Sequence, residues 1–253
     1  MRKLVAAGFQ ERTEEGVRLL AGTERIALAG HLRQISRHHH AAPAIVVGLD
    51  GPLRFVAERT HESRAALVAP GFEHAVETAS GRVAVFVLPA AAMSGANQVP
   101  VRDLAKPSRW VELGLAVARR EVDELSAIDR CLAREGLDLR PVDGRLRVAL
   151  GALGGALGRN LPVEEVASVA RLSPSRLMCL AREHLGTSLR GYRRWLRSFQ
   201  VARDFACGRS LTESALEAGF SSSAHLSAAA REHFGIRPSD MLTPANRAAI
   251  RVV

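Results

Sequence analysis

The feature that most restricts the fold of this chain is a unit written twice. Residues 163–189, moved forward by 49 positions, fall on residues 212–238 without a gap. The overlay pairs Glu164 with Glu213, Ser173 with Ser222 and Leu177 with Leu226. It then pairs Ala181-Arg182-Glu183-His184-Leu185-Gly186 with Ala230-Arg231-Glu232-His233-Phe234-Gly235. Each copy reads as a short amphipathic helix, a turn, and a second helix closed by glycine, which is the outline of a helix-turn-helix. In the first copy Val163, Val166, Ala167 and Ala170 keep the i, i+3, i+4, i+7 spacing of a helical apolar face. Ser173 is placed to cap the following helix, Pro174 sits where a missing N–H costs nothing, and Gly186 accepts the left-handed conformation that stops it. Ser222 and Gly235 take the cap and the stop in the second copy.

Between the copies, residues 188–207 read as one helix with Leu189, Tyr192, Leu196, Phe199, Ala202 and Ala206 along one face. Twenty helical residues span roughly 30 Å. Successive major grooves on one side of a duplex stand about 34 Å apart. One chain can therefore present two recognition helices to adjacent grooves, and double-stranded DNA is the expected partner. The charge distribution agrees: residues 159–253 hold 14 Arg against 8 acidic residues, a net of +6 out of +9 for the whole chain. An excess of that sign neutralises phosphates.

The segment resembles the DNA-binding domain of AraC/XylS-type bacterial transcription regulators. The resemblance rests on Leu172-Ser173-Pro174-x-x-Leu177, Gly186-x-Ser188, Gly219-Phe220-Ser221-Ser222 and Phe234-Gly235-x-x-Pro238-Ser239. With a first helix in residues 143–159 it covers about residues 141–247. It implies that Ser175, Met178 and Cys179 read base edges in the first recognition helix, with Arg176 beside them and Ser173 at the helix cap. Arg176 is the residue there able to clamp a guanine, while Met178 and Cys179 offer apolar contact to a thymine methyl. Ser222, Ser223, His225 and Ala228 fall in the equivalent zone of the second copy, where short side chains favour backbone over base contact. Arg182 and Arg231, at one repeat position, are the expected phosphate ligands. The chain departs from the family pattern at Leu226 and Ala230, where an aromatic residue is usual, at Ala181 for Phe, and at Cys179 and Ala228 for Arg.

The N-terminal part has the opposite character. Short apolar runs at residues 25–29, 44–49, 53–56, 66–69 and 83–88 are separated by turn signals such as Asp50-Gly51-Pro52. They predict a small all-β sandwich or barrel, with 83–88 central. His38-His39-His40, Leu49-Asp50-Gly51-Pro52 and Pro70-Gly71-x-x-His74 resemble the cupin-type sensor domain found at the N-terminus of this family. That resemblance implies an effector or divalent-metal site at His38, His40 and His74. The glutamate a cupin usually carries after its His pair is absent, since Ala41-Ala42-Pro43-Ala44 follows. The plainer reading of the His run is a polar strand end or pocket wall.

From 108 to 139 the pattern turns helical, with Trp110, Leu113, Val117, Val122, Leu125, Ile128 and Leu132 recurring at three- and four-residue steps. Two antiparallel helices or one bent helix satisfy this spacing, and the stripe either packs on its own domain or forms a homodimer. Residues 136–144 read as a linker. Cys131, Cys179 and Cys207 lie far apart in no metal-ligand spacing, which suits a reducing cytoplasm. The pattern contains neither a signal peptide nor an apolar run long enough to cross a bilayer, so no membrane partner is expected.

The expected architecture is an α+β multidomain chain: a cupin-like β-barrel sensor (1–107), a helical segment and linker (108–140), and an all-α domain with two helix-turn-helix units joined by a long helix (141–253). The expected function is a sequence-specific transcription regulator rather than an enzyme. It is modulated by a small effector, and RNA polymerase is a partner if it activates. The alternatives are a metal-dependent cupin enzyme with a DNA-targeting domain and, more remotely, a nucleoid-packing protein.

Overall fold

A computed structural model describes residues 16–32, 34–94, 99–137 and 141–253. Positions 1–15 of the sensor and 138–140 of the expected linker lie outside the described residues. The N-terminal part contains two sheets. The larger runs in the order β10 (Val101–Asp103), β7 (Ala65–Val68), β4 (Ala44–Gly48), β9 (Arg82–Val87), β2 (Ile26–His31), β1 (Val17–Ala21) and β11 (Ile250–Val252). The smaller runs β3 (Gln34–His38), β8 (His74–Thr78), β5 (Leu53–Val56) and β6 (Thr60–Ser63).

The unbroken apolar runs read from the sequence are strands buried on both faces. On one face of the large sheet Ile45, Val47, Ala84 and Phe86 pack under Trp110, Leu113, Val117 and Ile128. These belong to α1 (Pro107–Ala118) and α2 (Ser126–Glu135). The intervening residues, Val46, Val83 and Val87, join a second core on the opposite face. β9 pairs with β4 on one side and β2 on the other, the central position expected for 83–88. The helical stripe at 108–139 thus resolves as two helices, and its apolar residues are spent on the chain's own sheet.

The expected small barrel requires correction. No ladder joins the two sheets among the described residues, so they face one another without closing. The large sheet instead ends at β11, which pairs in parallel with β1 from Leu19↔Ile250 to Ala21↔Val252.

The C-terminal helices are α3 (Gly144–Gly154), α4 (Val163–Val169), α5 (Pro174–Leu185), α6 (Leu189–Ala206), α7 (Leu211–Glu217), α8 (Ser223–Phe234) and the short α9 (Pro238–Met241). The sequence repeat is a structural repeat at the level of single hydrogen bonds. Ser173 accepts from the Arg176 N–H, and Ser222 accepts from the His225 N–H 49 positions later. Gly186 and Gly235 both close their helices in the left-handed region, at φ 63° and 70°. The linking helix α6 is 18 residues long, roughly 27 Å. Tyr192, Leu196, Phe199 and Ala202 are buried as the periodicity predicts, and Trp195, Val201 and Phe205 join them.

Candidate nucleic-acid interface and the cavity behind it

The N-terminal ends of α5 and α8 face away from the core. Ser173, Ser175, Arg176, Met178 and Cys179 are exposed on α5, as are Ser222, Ser223 and Ala228 on α8, while His225 is half-buried. Local contacts modify two of these side chains. The Arg176 guanidinium lies 3.9 Å from Cys179 Sγ. The His225 ring stands edge-on to Phe220 at 5.3 Å, with Nδ1 3.1 Å from Ser221 Oγ, so it supports the turn as well as the helix end. Arg182 and Arg231 are exposed, their carbonyls accept from the Gly186 and Gly235 N–H groups, and their guanidinium groups point to solvent-accessible surface.

Between the two units lies a concave surface of about 710 Å³ whose lining includes Arg182, Arg190, Arg193, Arg194 and Arg197 and no acidic residue. Part of this charge is structural. Arg193 bonds the Leu161 carbonyl and Asn160, Arg194 pairs with Glu232 at 2.8 Å, and Arg197 donates to the Gly219 carbonyl. Arg190, Arg193, Arg194 and Arg197 are not among the site residues expected from the sequence, where α6 reads as a spacer. Their i, i+3, i+4, i+7 spacing at 190, 193, 194 and 197 was the available signal.

The C-terminal ends of both recognition helices dock on the N-terminal part of the chain. The Ser36 N–H donates to the Gly235 carbonyl at 2.9 Å, and the His39 N–H donates to the Glu232 carbonyl at 3.0 Å. A Cβ on Gly186 would sit 2.3 Å from the Gly71 Cα, a backbone approach that only glycine permits. His184 Nδ1 lies 2.7 Å from Ser94 Oγ. The repeated Glu-His-x-Gly segment therefore lies at the contact with the N-terminal part in both copies.

His38, His40 and His74 come together in the protein interior, at 3%, 4% and 0% exposure. Their ligating atoms all lie within 4.8 Å of one another, and His38 Nε2 stands 3.2 Å from His40 Nε2. His38 is the last residue of β3, His40 lies just beyond it, and β8 brings His74 opposite His38 in register. Burial, reinforced by His74, depresses the His38 imidazole to about 3, and burial holds His40 well below and His74 below the ordinary histidine range. All three are neutral imidazoles at pH 7, the form that ligates metals. Among the described residues no carboxylate completes this group. The neighbouring His39, Glu232 and His233 form a separate one that spans the domain interface.

His38 and His40 also line an apolar cavity of about 80 Å³ between the two parts of the chain. The sheets contribute Leu28, Val46 and Val87, and α6 and α8 contribute Phe199, Leu226 and Phe234. The polar lining consists of His38, His40 and Ser198.

Residues 166–243 match the helix-turn-helix domain family. The C-terminal half carries an AraC-type helix-turn-helix domain. Solved structures extend the likeness of fold beyond the AraC-type domain to nearly the whole chain. ToxT from Vibrio cholerae O395, bound to (E)-4-(8-methylnaphthalen-1-yl)but-3-enoic acid, aligns with TM-score 0.61 and 12% identity, covering 90% of this chain and 98% of that one. Unsaturated fatty acid-bound ToxT from Vibrio cholerae strain SCE256 aligns with TM-score 0.56 and 12% identity, covering 90% and 93%. A Chromobacterium violaceum regulator described as AraC-type is 28% identical over 41% of this chain and 92% of its own, with TM-score 0.37. No curated protein matches the sequence. Among the described residues no helix is long and apolar enough to cross a membrane.

Proposed function

We propose that the chain is a sequence-specific transcription regulator in which α5 and α8 enter successive major grooves and a small effector, bound between sensor and AraC-type domain, sets their relative position. The observation that carries this reading is the polarity of the two recognition helices. Each exposes its N-terminal end and is fixed to the sensor by its C-terminal glycine. A displacement of the sensor sheet is therefore transmitted to both DNA-reading elements. In this reading Arg176 clamps a guanine, Met178 and Cys179 pack on a thymine methyl, and Arg182, Arg231 and Arg190 hold phosphates. The second unit, with Ser222, Ser223, His225 and Ala228, contributes more to positioning than to base reading.

The two facing sheets are read as a cupin-type sensor. Its effector is an apolar molecule with an acidic head, the class named for both ToxT complexes, and the apolar cavity walls support it. Small-molecule sites commonly enclose roughly 300–1,000 Å³, well above the 80 Å³ present here. Binding therefore requires the sheet and α6 to part, which links occupancy to helix position. The family match and the docked recognition helices favour a regulator over a cupin enzyme.

Selection of random duplex DNA on the full-length protein tests this function. The expected motif has two blocks about one helical turn apart, the first more sharply defined than the second. Equal affinity for selected and random duplexes at fixed salt would end the sequence-specific reading.

A further inference from the structure

The cavity poses an electrostatic problem for the effector just described. A carboxylate brought into it meets apolar walls, one serine and two neutral imidazoles, with no lysine or arginine in the lining. An unpaired buried carboxylate is costly enough to forbid binding in that form. The histidine cluster supplies an answer through its tautomers. His38 Nδ1 lies 2.8 Å from the Ser36 carbonyl oxygen and His74 Nδ1 lies 2.9 Å from the Phe72 carbonyl oxygen. A carbonyl only accepts, so both Nδ1 atoms carry the proton and both Nε2 atoms present bare lone pairs. Holding a ligating histidine by a backbone carbonyl on its far nitrogen is the usual support of a metal site.

Without a cation the cluster is poorly satisfied. One proton on His40 Nε2 serves the lone pair of His38, and His74 Nε2 remains buried with no partner, as does His40 Nδ1. Two imidazole nitrogens on a tetrahedral zinc ion stand about 3.3 Å apart. The 3.2 Å between His38 Nε2 and His40 Nε2 meets that requirement as it stands. The residues thus fit a zinc-class ion. Loading needs the His40 proton to move to Nδ1 and the His74 ligand atom, within 4.8 Å of the other two, to close on the same ion.

We propose that a divalent transition ion held by His38, His40 and His74 is the anion anchor of the cavity, its open coordination position being taken by the effector's carboxylate. Three neutral ligands leave the full double charge of such an ion uncompensated in a buried site, so an anion is required in the remaining position. Two of the three ligands line the cavity, so the cavity is the side from which that anion comes. This inference rests on the acidic-effector reading and specifies its recognition chemistry.

Cobalt(II) provides a direct test, because its visible absorption reports both coordination number and exchange of the fourth ligand. Full-length protein stripped with EDTA is titrated with Co²⁺, and decanoate or decanol is then added. The expected result is one equivalent bound with a tetrahedral spectrum, a shift with decanoate and none with decanol. The spectrum should disappear in His38→Ala/His74→Ala and persist in His39→Ala/His233→Ala. Absence of the spectrum, the reverse pattern between the two variants, or a spectrum indifferent to decanoate overturns the proposal. Trp195 lies 5.6 Å from His40 and reports decanoate by its fluorescence in the stripped protein. Equal decanoate affinity with and without metal would reject the anchor and leave the effector reading standing. No decanoate binding in either form would remove both.

Discussion

A methyl group at Gly235 would lie 2.4 Å from the Ser36 carbonyl oxygen, at a backbone φ of 70°. Gly136 has nearly the same φ, 67°, with nothing within 4 Å of its would-be Cβ. Gly136→Ala should therefore cost only the left-handed strain of about 1–2 kcal/mol. Gly235→Ala should cost roughly 1–3 kcal/mol more, through overpacking at the interface. Urea unfolding of the two variants separates the terms, and equal losses would mean that α8 is not seated on β3 in solution. Histidine ionisation gives a second expectation at this scale. Folding depresses His38 to about 3 and His233 to about 4, against an ordinary value of 6.5. Their contribution is complete above pH 6.5 and declines as pH falls through that value, because only the unfolded chain then takes up the protons. In EDTA each should remove about 1.4 kcal/mol of stability between pH 7.5 and 5.5. A flat profile would contradict their burial. For DNA binding, Arg176→Ala should weaken the selected site by about 1–3 kcal/mol and leave random duplex nearly unaffected, whereas Arg182→Ala should weaken both and lower the salt slope by about one. Indistinguishable effects of the two substitutions would refute the division between reading and holding.

At the scale of elements, β11 makes the sharpest expectation. Ile250 is buried, and Arg251 shares Asp123 with Arg18 of β1, both pairs at 2.8 Å. Ending the chain at Ala249 should cost about 2–4 kcal/mol, chiefly from the lost Ile250 burial and ladder. Thermal melting checks this, and an unchanged midpoint would show that the strand does not form. This element was also invisible in the sequence: three residues carry no periodicity, and their partner lies more than 200 positions away. The helix-turn-helix units were legible for the opposite reason. Their caps, stops and apolar spacing are local, and Ser173, Gly186, Ser222 and Gly235 act as the residue types demand. Strands buried on both faces, such as β4 and β9, were readable as apolar runs. β8 was not, because His74, Glu77 and Thr78 interrupt it. The His38, His40 and His74 group was anticipated as a set, but the fixing of its tautomers by the Ser36 and Phe72 carbonyls depends on the fold. The docking of Gly71 against Gly186 left no trace in either local pattern.

Across the whole molecule, the N-terminal sheets and the AraC-type domain share one apolar core, in which Leu28, Val46 and Val87 of the large sheet belong with Phe199, Val201 and Leu226. The AraC-type domain is also attached by both of its ends. Val142, before α3, donates its N–H to the Ala91 carbonyl, and β11 returns the chain to β1. A domain on a single tether can swing in any direction and sample many separations of its recognition helices. A domain held at both ends, and docked through Gly186 and Gly235 as well, has far fewer ways to move. Under the proposed function, an effector that parts the cavity walls would therefore tilt α5 and α8 along a restricted path relative to the DNA grooves. Cutting the β11 attachment should therefore loosen the coupling between effector and operator even where both are still bound, so that the protein keeps its ligands and loses its response.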